Sequence, residues 1–323
     1  MKLNQSWNYT KTNTVYVEEE LVDNEYVKKI LKKLNNPKII KIKHYKDIFN
    51  RKNQSIPFQK DNQKLILAKN KDKIIYEGSR VCNDFGYENF YYVVNSMNCP
   101  YDCEYCFLKG MYPSSYILVY VNYEEIMKKV EGKLKEKSYL SISYEGDLLA
   151  LEKIHGLNEK WINFAKNNKN ITIESRTKSG NFNLLKIHEP TENFIISWSL
   201  SPQTIIDNYE KYTPDLNIRI NNINNAVKNG WNVRIFIEPV LRINNGVKIY
   251  KEFFLDIKEE INISKNNINM DFFRINSDYY KKIKNIYKKS ELFAYPFENN
   301  NGMMEYKKSY KDMINREFHK IFR

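Results

Sequence analysis

Cysteine is scarce in this chain, with four residues among 323. A disulfide scaffold spreads an even set along a small secreted chain. Here three of the four lie within eight residues, in CPYDCEYC (99–106). No apolar run approaches the roughly 18–20 residues that a membrane span needs. The opening MKLNQSWNYTKTNTVYVEEE has no apolar stretch of a secretion signal. The expectation is a cytoplasmic protein with no membrane partner. Histidine is also sparse: His44, His155, His188 and His319 are scattered and form no metal constellation. No internal repeat and no long linker is visible.

What remains is a globular composition, with 42% hydrophobic residues and enough chain for one large domain or two modest ones. Lys and Arg outnumber Asp and Glu by 52 to 39, a formal net charge of +13. Such an excess favours a polyanionic partner, nucleic acid first. A Lys-, Asn-, Ile- and Tyr-rich composition of the kind that AT-rich coding produces raises the charge equally well.

Residues 1–85 read as an N-terminal α/β extension. VYVEEE (15–20) has the pattern of a strand and 25–34 that of a helix, and LILAKN with KDKIIYEG (65–78) reads as a hairpin. From residue 86 onward, apolar β-type runs recur at 90–96, 138–144, 170–174, 194–200, 232–238 and 269–275. Helix-like stretches lie between them at 122–136, 157–168, 217–229 and 247–261. Strand and helix alternating at this spacing imply parallel strands with helical crossovers. Six units predict an α/β fold with a partial (β/α)6 barrel over 86–278, whose chemistry sits at the C-terminal strand ends. A basic C-terminal segment, 279–323, is expected to pack on that barrel.

The cysteine spacing is C-x3-C-x2-C, directly after a predicted strand. Cys99, Cys103 and Cys106 can hold three irons of a [4Fe–4S] cubane and leave the fourth iron open for a chelating ligand; a fourth cysteine would close the cluster. Zinc is the rival, but structural zinc prefers four ligands in C-x2–4-C pairs, and no second pair exists. Cys82 lies seventeen residues before Cys99. With Tyr105 before the last cysteine, the motif resembles that of the radical S-adenosylmethionine (SAM) superfamily, in which the open iron binds SAM.

A longer resemblance runs from about residue 14 to near the C-terminus. CEYCFL, YILVYVNYEEI, SYEGD with LEKIHGL, TKSGNFNLL, and the block from FIISWSLSPQ to NVRIFIEPV (194–240) follow in order. They resemble the spore photoproduct lyase family. The resemblance implies a radical SAM barrel with a [4Fe–4S] cluster and SAM, and repair of a thymine dimer in ultraviolet-damaged spore DNA. DNA and an electron donor such as a flavodoxin or ferredoxin are the implied partners, and the spore core the implied location. The lesion must leave the base stack to be reached.

Carried over residue by residue, the three cluster cysteines and Tyr105 match. Lys178 and Ser199 match positions near the SAM carboxylate and ribose, and Asp147 an acidic residue after the second strand. Four features depart: the family's hydrogen-donor cysteine falls on Tyr144, a tyrosine after the third cluster cysteine is Phe107, a His-rich loop has become SGN, and FENNNGMMEYKK replaces an Arg- and Gly-rich hairpin. Tyr144, or Cys82, is the candidate replacement donor. Phe107 cannot relay a hydrogen atom.

Blander readings stand beside these. Lys178 also reads as a solvated lysine, Ser199 as a partner for buried backbone, and Glu145 and Asp147 either as turn residues or as ligands of the SAM ammonium. Glu238 is a charged strand-end residue of the kind that faces a barrel site. Three functions compete: a spore photoproduct lyase, a diverged radical SAM enzyme with another substrate, and a non-catalytic cluster or zinc protein binding nucleic acid. Cys103→Ala is expected to abolish the brown colour of the anaerobic protein and its cleavage of SAM. Cluster absorbance retained in that variant would overturn the assignment.

Overall fold

Six strands carry the centre of the molecule: β1 (Asn89–Val93), β2 (Ser138–Ser141), β3 (Ile171–Thr177), β4 (Phe194–Leu200), β5 (Asn232–Val240) and β6 (Ile268–Phe272). They pair in sequence order, each parallel to the next. The structure, a computed structural model, describes residues 12–79 and 83–322. The sheet is the partial barrel that the alternation predicts, closed at its first edge by the antiparallel strand Ile75–Glu77.

The strand period of two sorts the side chains. On β3, Ser175 turns outward and donates to Asn158 of the helix Leu157–Asn167 at 2.6 Å. Glu174 and Arg176 turn inward. Glu174 accepts from Ser197 of β4 at 2.7 Å, and Arg176 pairs with Glu238 of β5 at 2.9 Å. The outer face is covered by the helices Tyr123–Lys133, Leu157–Asn167, Leu216–Lys228 and Gly246–Glu260. Between β3 and β4 a single 3-10 turn, Phe182–Leu184, takes the place of a long helix.

A second sheet lies beside the barrel, in the order Lys38–Ile42, Thr14–Glu18, Leu65–Ala68, Ile117–Tyr120, Ser96–Met97. This corrects the hairpin expected at 65–78. Leu65–Ala68 is buried at all four positions and runs parallel to both neighbours, whereas Ile75–Glu77 joins the barrel sheet. A continuously apolar run belongs in the middle of a parallel sheet, not on a solvated hairpin.

The tail continues as the helix Ser277–Ile286, a strand pair Phe297–Asn300 and Met303–Tyr306, and the helix Lys308–Phe322. Phe318 of the last helix packs edge-on against Phe254 of the helix Gly246–Glu260. FENNNGMMEYKK, which stands in place of an Arg- and Gly-rich hairpin, itself forms a hairpin. Asn301 and Gly302 both have positive φ, 49° and 85°, the geometry of a two-residue Asn-Gly turn. Among the described residues no helix is long and apolar enough to cross a membrane.

A Cβ at Gly302 would meet no atom within 4 Å, so Gly302→Ala adds only the cost of a left-handed backbone, about 1 kcal/mol. Hydrogen exchange should speed up across 297–306 and stay unchanged in the cysteine loop.

Candidate active site around the cysteine loop

The chain from β1 to β2 does not cross directly. It leaves the barrel for Ser96–Met97, forms the cysteine loop and the helix Leu108–Met111, and runs through Ile117–Tyr120 before the crossover helix. The loop is thus held from both sheets. Asn98, in the left-handed region, donates to Ser114 O and Tyr116 O at 2.7 and 2.9 Å. From below, the helix Ile56–Asp61, capped by Ser55, sends Lys60 to Cys99 O and Tyr101 O at 2.6 and 2.8 Å. Gln63 just beyond it donates to Ser115 O at 2.9 Å. Lys109 donates to Cys103 O at 2.6 Å and pairs with Asp102 at 2.7 Å.

From above, Cys103 lies opposite Glu210 in a short antiparallel pairing of Asp102–Cys103 with Glu210–Lys211. The Glu210 carboxylate is fully buried. It accepts from the Tyr105 hydroxyl, from Lys178 Nζ at 3.0 Å, from Ser201 Oγ at 2.9 Å and from Arg219 at 2.5 Å. Lys178 Nζ also donates to the Tyr105 hydroxyl at 2.9 Å, and Arg219 to Ser199 O at 3.1 Å. Burial pushes the Glu210 carboxyl up, but the Arg219 and Lys178 charges outweigh it and hold the group well below its ordinary value.

One network thus gathers Tyr105, Lys178 and the Ser199 backbone beside Cys103. Asp147 stands next to it: its carboxylate accepts from Thr177 Oγ1 at 2.7 Å, Lys178 N at 2.8 Å and Ala150 N at 2.9 Å. Those bonds fix the backbone from which Lys178 springs. Burial raises the Asp147 and Glu145 carboxyls. Glu145 accepts from the Tyr112 hydroxyl. Gly146 between them admits no side chain, since a Cβ would lie 2.5 Å from Ser96 Oγ and 3.0 Å from Asn98 O. The SYEGD turn therefore presses on the strand that leads into Cys99. Tyr144 stacks on Tyr92 at 4.4 Å between centroids and lies 6.0 Å from Phe107. Glu238 faces Arg176 across the barrel interior. Cys82 lies outside the described residues.

Glu210, Arg219, Lys60 and Lys109 escaped the sequence reading. Tyr209-Glu210 was visible only as a landmark of the family block. Nothing local announces that this carboxylate bonds a hydroxyl 105 residues away.

Among the described residues no three His, Cys, Asp or Glu side chains meet at one metal-ion position. A cubane sets a different demand, because each thiolate takes its own iron corner. Cys99, Cys103 and Cys106 are free of disulfides; Cys103 is buried and the other two are half-buried. Cys106 interacts electrostatically with both Cys99 and Cys103. Burial, the largest effect at each, pushes the Cys99 and Cys103 thiols up. Lys60 brings a positive charge to the Cys99 and Cys106 side and Lys178 to the Cys103 side. This donor set fits a cluster held by three thiolates.

A family model described as spore photoproduct lyase matches residues 10–312. The chain belongs to the spore photoproduct lyase family. The spore photoproduct lyase of Clostridium acetobutylicum is 27% identical over 171 residues, which is 50% of this chain and 50% of that protein. The alignment thus spans about half the length of that curated relative. Among solved structures, spore photoproduct lyase complexed with dinucleoside spore photoproduct superposes with a TM-score of 0.81 at 15% identity, over 96% of each chain. A double mutant of spore photoproduct lyase with bound AdoMet and the same dinucleoside has a TM-score of 0.80 at 16% identity, again over 96% of each chain. The family match at residues 10–312 takes in the second sheet and the C-terminal hairpin as well as the barrel.

Removing one partner of a buried ion pair costs about 3–5 kcal/mol. Glu210→Gln should lower the unfolding free energy by that order in urea titrations. The folded carboxyl sits below its unfolded value of about 4.3, so its contribution is full above that pH and is lost as the pH falls toward the folded value. The acid-side slope of stability should be shallower in the variant. An unchanged slope would show that Glu210 carries no special charge.

Proposed function

We propose that this chain is a radical SAM lyase that repairs spore photoproduct, 5-thyminyl-5,6-dihydrothymine, in the DNA of the spore core. The observation that carries the reading is the fit of a three-thiolate loop to a basic surface beside it. The helix Ser277–Ile286 lies against the helix that follows Cys106: Lys282 Nζ donates to Gly110 O at 3.0 Å, and Tyr287 donates to Asp102 at 3.0 Å. The exposed Lys281 and Lys284 of this helix, with Lys288 and Lys289 just beyond its end, suit the phosphates that flank a lesion. Relatives with bound AdoMet and dinucleoside spore photoproduct support the same reading.

Cys99, Cys103 and Cys106 would hold the [4Fe–4S] cluster. With SAM bound and one electron from a flavodoxin- or ferredoxin-like donor, the cluster would supply a 5′-deoxyadenosyl radical. Lys178 and Ser199 are assigned to the SAM carboxylate and ribose, with Tyr105 against them and Glu145 and Asp147 toward the ammonium. Glu210 and Arg219 orient Lys178 and Tyr105. The deoxyadenosyl radical would take a hydrogen atom from the lesion, the bond linking the thymines would break, and Tyr144 would return a hydrogen atom to the resulting thymine radical, its O–H bond breaking as a C–H bond forms and the unpaired electron passing to the Tyr144 phenoxyl. Cys82 is the alternative donor. A second reading, a radical SAM enzyme of this family acting on another substrate, is favoured by Tyr144 and Phe107, which replace a thiol and a phenol.

The deciding experiment is anaerobic. The reconstituted protein receives SAM, dithionite and DNA carrying spore photoproduct, and lesion loss and 5′-deoxyadenosine are quantified together by mass spectrometry. Recovered thymine supports the lyase; deoxyadenosine without thymine supports the second reading. Tyr144→Phe should leave SAM cleavage intact and divert the thymine radical to side products, whereas an unchanged product removes Tyr144 from the mechanism. Affinity for duplex DNA should fall steeply between 50 and 200 mM salt, by about a thousandfold for six phosphate contacts. A flat response argues against DNA.

A further inference from the structure

Lys60 is 9% exposed, and its ammonium meets only backbone carbonyls, those of Cys99 and Tyr101. Lys109, on the helix Leu108–Met111 that follows the cysteine loop, is matched by Asp102 at 2.7 Å. Among the described residues no carboxylate pairs with Lys60 in this way. A buried unpaired cation is costly, and here it is aimed at the first of the three thiol-bearing residues. Burial and the Lys109 charge work against the ammonium, and the Cys99 and Cys106 thiols and Asp102 work the other way.

We propose that Lys60 is a positioning residue whose ammonium, held on Cys99 O and Tyr101 O, balances the negative charge of the cluster and raises its reduction potential. The inference rests on the cluster of the preceding section and not on the identity of the substrate. A cubane held by three thiolates carries net negative charge and gains another on reduction. A buried cation nearby favours the reduced state, and net charge and burial are among the levers that set cluster potentials. The same ammonium pins Cys99 O and Tyr101 O, so it also fixes the loop between the first two ligands. Lys60 belongs to the helix Ile56–Asp61, which packs beneath the second sheet's edge of the loop, and no motif of the cysteine cluster contains it.

The test uses full-length protein after anaerobic reconstitution. Lys60→Gln keeps a donor without the charge, Lys60→Met removes both, and Lys60→Arg keeps the charge. Iron and sulfide content, and the midpoint potential from a dithionite titration followed by electron paramagnetic resonance, are compared with the parent. The expected result is a more negative midpoint in the Gln and Met variants, with Arg near the parent. Neutral variants that take up no iron, while Arg loads fully, support the same conclusion through assembly. Neutral variants that load and titrate as the parent does overturn it, as does loss of iron in Arg as well, which would make Lys60 a steric strut. A parent protein that binds no iron overturns the cluster reading along with this one.

Discussion

A single buried carboxylate organises this molecule's working end. The Glu210 side chain is fully buried, so its charge survives only because Arg219, Lys178, Tyr105 and Ser201 converge on it. Each of those groups arrives from a different part of the chain: the cysteine loop, the end of β3, the turn after β4 and the helix Leu216–Lys228. Satisfying one carboxylate therefore fixes the loop, the strand end and the helix relative to one another. The network is a structural lock, and it holds Tyr105 and Lys178, the groups proposed above to contact SAM.

The second constraint is the excursion between β1 and β2. Because that connection takes strands in the other sheet, the cysteine loop cannot shift without disturbing Asn98, Ser114 and Tyr116. A loop exposed on one side and free at the other would hold thiols poorly. Here the N-terminal helix carrying Lys60 braces it below and Glu210 closes it above. Preorganisation of this kind is what a three-thiolate site needs if its geometry is to precede its cofactor.

Most of the barrel was legible in the sequence because its strands and helices have strong, opposed periods. The strand at 194–200 and the helices at 122–136, 157–168, 217–229 and 247–261 fall within a few residues of their observed limits. The cysteine spacing exposed its loop for the same reason, being local. The long-range part was not legible. Leu65–Ala68 was read with its sequence neighbour because nothing in four apolar residues says that its partners are Thr14–Glu18 and Ile117–Tyr120. The segment 297–306 was read only for its departure in composition, although Asn301-Gly302 is itself a strong turn signal. Lys60 looked like any solvated lysine, since burial is a property of what folds over it.

The 105 residues between Tyr105 and Glu210 also set a clock. A ribosome adds roughly 5–20 residues per second, so the thiols emerge many seconds before the carboxylate that closes over them exists. Pairing across such distances in the chain is intrinsically slow. During synthesis, then, Cys99, Cys103 and Cys106 pass through an interval of open access to iron and to oxidants alike, and that interval ends only when the fourth strand and the turn after it have been made.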